Sequence, residues 1–517
     1  MSAGRRASRA LLVAVALGAP LGGCGGGPSG SAGGGEGQAS RALRWLVPTH
    51  GSAPSVAQEN GHRGTDAWRL PGGHSRGHID AYVSAQDALP GSVQRIYVRA
   101  PRARTVTMRI FRMGWYGGAG GREILTTAPL AVSRQPPCAH DQRTGLTECR
   151  WHPTLSLTLP RSLPSGVYLV KIADDRRGER YCLFVLEPER PTPMLAQIST
   201  ASWEAYNYWG GDSLYPGGHR VGVTGGTQGV EVSYDRPYDS VDGAGQYFRV
   251  DAPTVRFLER YGYPISYITG TGLDRSPRLA LGARALMDIG HSEYWSQRAE
   301  RAFERARDRG INLAFLSSDT LAWRVRYAPA TPSSSETGEP GHVIVAYKER
   351  AALDPVRAPP TGAFPHNGAP LTGSAYVGCI TARVPNRLKA TYRLYAWSPA
   401  PGLSPPWLFA GTGFTPGARV MGILGYELDQ RVAASPPGTQ VLGSGSAPCM
   451  SGVGLGQTTL YRAASGALVF ATGTVGWALG LDPQPDVSPD APRREDPRLI
   501  RLTRNLLERV VQGPAGA

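Results

Sequence analysis

Two rhythms of apolar and polar positions divide the chain near residue 190. Before it, short runs alternate with a period of two, as strands covered on one face do. Residues 94–98 and 155–159 carry this alternation, and residues 105–112 set Val106, Met108 and Ile110 on one face. Pro164-Ser165-Gly166 introduces a strand at 167–172, and Asp174-Asp175-Arg176-Arg177-Gly178 turns the chain into another at 181–186. Short strands punctuated by turn signals predict an N-terminal β-sandwich over residues 41–190. The prolines from Pro188 to Pro193 mark its end.

From Met194 onward strands alternate with helices. Residues 195–198, 265–268, 285–289 and 311–316 read as strands, the third of them mostly apolar, as in a parallel sheet covered on both sides. Residues 254–261 have helical spacing. The best-defined helix starts at the hydroxyl cap Ser296, places Ala299, Ala302, Phe303 and Ala306 on one face, and closes at Gly310. Flanked by its strands it forms a βαβ unit. Residues 420–424 and 467–470 read as further strands, and Asp496 with Pro497 opens a closing helix over 497–511. The expected fold is α/β plus all-β: the sandwich, then an α/β region over 194–512 with additional β elements.

The first forty residues stand outside this pattern. Arg5, Arg6 and Arg9 precede an apolar stretch at 10–21, shorter than the roughly 20 residues that span a bilayer. Residues 1–23 are therefore expected to be a signal peptide. Leu21-Gly22-Gly23-Cys24 resembles the lipobox of bacterial lipoproteins, which implies export, lipidation of Cys24 and a membrane anchor there, on the periplasmic or the cell-surface side. Residues 24–40, rich in Gly and Ser, read as a flexible tether.

Composition narrows the function classes. With 517 residues, 41% hydrophobic and 18% charged, the chain has the apolar content for large cores, which argues against disorder. A net charge of +15 raises the question of nucleic acid, but the basic residues are scattered arginines without a stripe, and only Lys171, Lys348 and Lys389 are lysines. No nucleic-acid partner is expected. Six cysteines suit an oxidising location. Cys138 and Cys149 flank a short polar loop and are expected to pair; Cys379 and Cys449 can pair across the C-terminal half, leaving Cys182 as a buried thiol. No Cys/His spacing suggests zinc.

In open α/β sheets ligands bind beyond the carboxyl ends of the strands. Gly290-His291-Ser292-Glu293-Tyr294 and Ser317-Ser318-Asp319-Thr320 lie at two such ends. His291 and Glu293 supply an acid/base and a potential metal ligand beside the N-terminus of the Ser296 helix, whose dipole favours an anionic group.

Several motifs, in order, carry a resemblance to a known family. They are Phe111-Arg112-Met113-Gly114-Trp115-Tyr116-Gly117-Gly118-Ala119-Gly120-Gly121-Arg122, Pro164-Ser165-Gly166-Val167-Tyr168, Ala205-Tyr206-Asn207-Tyr208-Trp209-Gly210-Gly211, Ser233-Tyr234-Asp235-Arg236-Pro237-Tyr238, Gly290-His291-Ser292-Glu293-Tyr294-Trp295-Ser296, Ala322-Trp323-Arg324-Val325-Arg326, Gly425-Tyr426-Glu427 and Thr472-Gly473-Thr474-Val475-Gly476-Trp477. From about Arg95 to Gln512 the chain resembles the family of the N,N-dimethylformamidase large (beta) subunit, notably its C-terminal amidotransferase-like domain. The resemblance implies a flavodoxin-like, class I amidotransferase-like α/β fold and hydrolysis of an amide at a mononuclear iron held by two tyrosinates and a glutamate. Carried over by motif, the ligands are Glu293, Tyr206 and Tyr168. Such hard, anionic oxygens favour Fe(III). His291 is implied as the group that polarises substrate or transfers a proton, and Glu427 as the acid/base. Asp319 stands where the resemblance leads one to expect asparagine, and Ser292 where aspartate is usual. The implied partner is a small-molecule amide, with a homo-oligomer or a small second subunit left open.

Two other classes stay open. Gly290-His291-Ser292-Glu293-Tyr294 partly mimics a serine nucleophile elbow, with Tyr294 in place of the closing glycine. A surface lipoprotein that binds a partner on the same fold without catalysis is the other.

Overall fold

The alternation before residue 190 builds two facing sheets. The larger has the order Leu43–Trp45, Gly121–Thr127, Thr105–Met113, Gly166–Asp174, Glu179–Leu186, Asp87–Ala88, with Leu130–Ala131 paired beside it; the smaller is Pro153–Thr158, Val93–Arg99, Asp80–Val83. Between them Val106, Met108 and Ile110 meet Ile96, Val98, Leu155, Leu157, Val170 and Ile172. Each such side chain gains about 1.5–3 kcal/mol on full burial. The other face of the larger sheet is covered too. Val167, Leu169, Leu183 and Val185 pack with Val255, Phe257, Leu258 and Tyr267 of the following region. Two covered faces explain why Gly166–Asp174 and Glu179–Leu186 are apolar at nearly every position rather than at every second one.

This computed structural model describes residues 43–71, 75–216, 228–330, 341–383, 391–449, 452–483 and 491–513. The expected leader, Cys24 and the tether lie outside them. Residues Ala42–Ala517 form one compact unit.

The region after Met194 is organised on a nine-stranded sheet. Ile265–Thr269, Met194–Ile198, Ala285–His291, Asn312–Ser318 and Leu468–Ala471 run parallel, in that order; Gly452–Arg462, Gln440–Cys449, Tyr395–Pro399 and Val420–Leu424 extend it antiparallel. One face packs Leu286, Leu313 and Phe315 on Ala299, Ala302, Phe303 and Ala306 of the helix Gln297–Asp308. The other packs Met287, Ile289 and Leu316 toward Leu499, Leu502 and Leu506 of the helix Pro497–Val510. Both helices start as their sequences dictate: Ser296 Oγ accepts from Ala299 N at 3.1 Å, and Asp496 accepts from Arg498 N and Leu499 N. The long antiparallel hairpin is the element the apolar pattern did not announce. Glycines at 443, 445, 452, 454 and 456 dilute its alternation, and Gly443 and Gly445 lie where a Cβ would strike Trp397 and Ala396.

Disulfides join Cys138 to Cys149 and Cys379 to Cys449, and Cys182 is a buried free thiol. The first closes the hairpin Ala139–Asp141/Leu146–Glu148; the second ties Ala375–Ile380 to Gln440–Cys449.

A buried ionic knot fastens the sandwich to the rest. Arg112 donates to both oxygens of Glu259, at 2.8 and 2.9 Å, with both side chains sealed from water. Tyr267 donates to Glu259 at 3.2 Å, while Arg122 and the Tyr116 hydroxyl hold Glu59 at 2.9 and 2.7 Å. Gly114 is required here, because a Cβ on it would sit 2.2 Å from Glu259 Oε2. The Phe111–Arg122 motif is thus interface architecture.

Candidate active site

The site lies where the parallel strands end. Ala285–His291 delivers His291 and, two residues on, Glu293. At Gly290, φ is +82° and an added Cβ would meet Asp251 Oδ1 at 2.5 Å, so only glycine lets the strand end turn here. Asn312–Ser318 delivers Asp319, whose φ of +53° is held by Asp429: its Oδ1 accepts from Asp319 N at 2.9 Å and Ser318 Oγ at 3.0 Å. Met194–Ile198 leads into the helix Thr200–Ala205, which ends at Tyr206. Tyr426 and Glu427 arrive with the strand Glu427–Gln430.

Glu293 is the hub. Tyr206 OH donates to its Oε2 at 2.7 Å, and Tyr215 OH donates to its Oε1. The two phenol rings stack at 4.5 Å and 20°. On the other side His291 Nε2 lies 3.7 Å from Glu293 Oε2, 3.7 Å from Asp319 Oδ2 and 2.6 Å from Glu427 Oε2. That last approach is an ion-pair distance, and beyond it His291 Nε2, Asp319 Oδ1 and Glu427 Oε2 are buried without a hydrogen-bond partner among the described residues. Tyr426 OH contacts His291 Nδ1 at 2.7 Å and fixes the ring. Ligand atoms of His291, Glu293 and Asp319 fall within 4.8 Å of one another.

Burial raises Asp319 well above the usual carboxylate range, with Glu427 and Glu293 adding to it; burial also raises Glu427. For His291 burial works against the charged form, but Glu427, Asp319 and Glu293 outweigh it and push the imidazole well up. Burial, then Glu293, holds the hydroxyls of Tyr206 and Tyr215 far above the ordinary phenol range, so without a cation they are proton donors to the carboxylate. Burial lowers Lys348 from its usual value. Buried carboxylates thus outnumber the cations beside them, and polar atoms point at one another unpaired. A hard cation relieves both conditions, and carboxylate, phenol and imidazole donors suit one.

The structure unites His291, Glu293, Asp319, Glu427 and Tyr206. Tyr168 is a correction. It shares a sandwich-facing side of its strand with Val170 and Ile172, stacks on Phe184 at 5.3 Å and donates to Pro164 O at 2.6 Å, so its hydroxyl is used inside the sandwich. It is the Tyr215 hydroxyl that lies on Glu293 beside that of Tyr206. The signal was present, since Tyr215 lies nine residues after Tyr206 across Gly210-Gly211. Arg236 clamps that excursion, donating to Asn207 O, Trp209 O and Asp212 O at 3.0, 3.2 and 3.0 Å and pairing with Glu204 at 2.7 Å. Ser292 is the second correction. Its hydroxyl donates to Asp288 at 2.7 Å and accepts from Trp295 Nε1 at 2.9 Å, while Ser317 also holds Asp288 at 2.6 Å. Among the described residues no histidine is hydrogen-bonded to Ser292 to make it a nucleophile.

The family model described as N,N-dimethylformamidase beta subunit-like, C-terminal, matches residues 107–490, and the chain belongs to that family. No curated protein matches. Among solved structures, a Paenibacillus sp. cycloisomaltooligosaccharide glucanotransferase complexed with cycloisomaltoheptaose is 10% identical, with 77% of this chain and 69% of that chain covered. Its TM-score of 0.17 is too low to carry an argument about fold.

Proposed function

We propose that this chain is an exported lipoprotein that hydrolyses a small amide or another C–N bond at a mononuclear ferric centre held by Tyr206, Tyr215 and Glu293. The observation that carries the reading is the convergence of two phenols on one carboxylate, next to buried polar atoms whose hydrogen bonding is incomplete among the described residues. A ferric ion bound there supplies Lewis acidity, polarising a carbonyl and acidifying water.

The side chains around it have separable roles. Glu427 Oε2 takes a proton from the attacking water; as the water oxygen joins the carbonyl carbon and the C–N bond breaks, that proton goes to the leaving nitrogen. His291, fixed through Nδ1 by Tyr426, presents Nε2 to the substrate oxygen. Asp319 sits beside it on the Asp429 turn and sets the polarity of the pocket. Burial of His291, Glu293, Asp319 and Glu427 excludes bulk water and strengthens each of these interactions.

The parallel order, 2-1-3-4-5 when the five strands are numbered along the chain, supports a flavodoxin-like, class I amidotransferase-like plan. Among the described residues no helix is long and apolar enough to cross a membrane, and attachment in this reading is through Cys24.

Visible absorption of the purified protein, before and after ferric loading, tests the proposal. A tyrosinate-to-iron charge-transfer band that vanishes in Glu293→Ala, together with turnover of small amides, is expected. A colourless, inactive protein would leave a binding lipoprotein as the reading.

A further inference from the structure

Lysine is rare in this chain: of 55 basic residues, only Lys171, Lys348 and Lys389 are lysines. Lys348 is also buried, at 3% exposure, and opens the 3-10 helix Lys348–Leu353 with φ at +53°. Among the described residues its ammonium has no salt-bridge partner. It lies 3.4 Å from the centroid of the Tyr215 ring, 5.1 Å from that of Trp323 and 5.8 Å from that of Tyr294, and it donates to Leu214 O at 3.2 Å. Glu293, Glu349 and Asp319 act on the ammonium only through space, and what it touches is three aromatic faces and a carbonyl rather than a paired anion. The row of rings continues inward, with Tyr206 stacked at 4.5 Å from Tyr215 and His291 tilted at 5.5 Å from Tyr206.

A purely space-filling role does not account for this arrangement. Desolvating an ammonium costs several kcal/mol, whereas methionine fills nearly the same volume without that cost. A charge kept at such expense has to act on its neighbours, and the aromatic face nearest to it is the ring of Tyr215, whose hydroxyl lies on Glu293.

We propose that Lys348 is a positioning residue of the metal centre, its caged ammonium pinning the Tyr215 ring against Tyr206 and drawing on the electron density of that phenol. The inference rests on the ferric reading, and it adds the residue that holds one ligand in place and tunes it. A positive charge over the π face stabilises the filled orbitals of the phenolate. Moving an electron from that phenolate to iron therefore takes more energy with the ammonium present than without it.

The test compares ferric-loaded wild type, Lys348→Met and Lys348→Arg by iron titration and visible spectroscopy, with circular dichroism as the folding control. Lys348→Met is expected to bind iron about 10- to 100-fold more weakly, the range for losing a group that orients a ligand, and to move the charge-transfer band to longer wavelength. Lys348→Arg, which keeps a charge able to stack on the ring, is expected to hold the band nearer the wild-type position. Wild-type iron affinity and an unmoved band in folded Lys348→Met would overturn the role while leaving the ferric reading intact. A wild type that shows no band overturns the ferric reading and this role together. Should Lys348→Met not fold, Trp323→Leu opens one wall of the cage, and the same shift in smaller degree is expected; no shift there overturns the role.

Discussion

Arg112 and Glu293 are both nearly sealed from water, yet the chain treats them in opposite ways. Around Arg112 the charges balance: it meets Glu259 through two hydrogen bonds, Arg122 meets Glu59, and Tyr116 and Tyr267 fill remaining acceptor positions. Around Glu293 they do not. Three carboxylates face one imidazole, with Lys348 turned toward aromatic rings, and His291 Nε2, Asp319 Oδ1 and Glu427 Oε2 have no hydrogen-bond partner among the described residues. The first cluster balances its charges without anything added, leaving only the Arg112 Nε of its atoms without a hydrogen-bond partner among the described residues, and it ties the sandwich to the region that follows. The second leaves charge and polar atoms uncompensated, a cost in stability that the proposed cation and substrate would offset.

The sharpest way to break the contrast is Glu293→Ala. It is expected to abolish activity and ferric colour while lowering the melting temperature little or raising it, since it removes a charge from an overcrowded pocket; a scan beside an iron assay reads both. Glu427→Gln keeps the shape and removes the proton carrier. Its kcat is expected to fall roughly 100- to 10,000-fold with the visible band retained. The opposite pattern is expected of Arg112→Met, which strands Glu259: a stability loss of about 3–5 kcal/mol by denaturant unfolding, with turnover per folded molecule unchanged. Two tyrosines sharpen the comparison further. Tyr215→Phe should bleach the band, whereas Tyr168→Phe should lose about 1 kcal/mol from one hydrogen bond and leave the band alone.

The smallest effect concerns pH. Burial and the neighbouring Asp87 push Glu187 up to about 8, against Arg275 and the donors of Thr269. A carboxyl raised on folding stabilises most at low pH, below its unfolded value, and that contribution is lost as pH rises through about 8. Melting temperatures of Glu187→Gln should therefore fall less than those of the wild type between mildly acidic and alkaline pH.

Much of this could be read from residue order. Ser296 and Asp496 cap the helices that their sequences announce, and the strands before residue 190 fall where the alternation puts them. Periodicity also held the truth about Tyr168, which shares its face with Val170 and Ile172, and only the motif match drew it toward the proposed ligand set. Tyr215 was hidden for a different reason. It lies in irregular chain, and its contact with Glu293 spans 78 residues, so only the parallel crossover brings the two together. The extended hairpin Gln440–Cys449/Gly452–Arg462 was hidden by its glycines, which remove the side chains on which any alternation depends.

The larger sandwich sheet, with apolar side chains on both sides, has no face that tolerates water. Cutting the chain near residue 190 would leave two greasy fragments, each missing the other's lining, and neither is a bead that recombination can move intact into another protein.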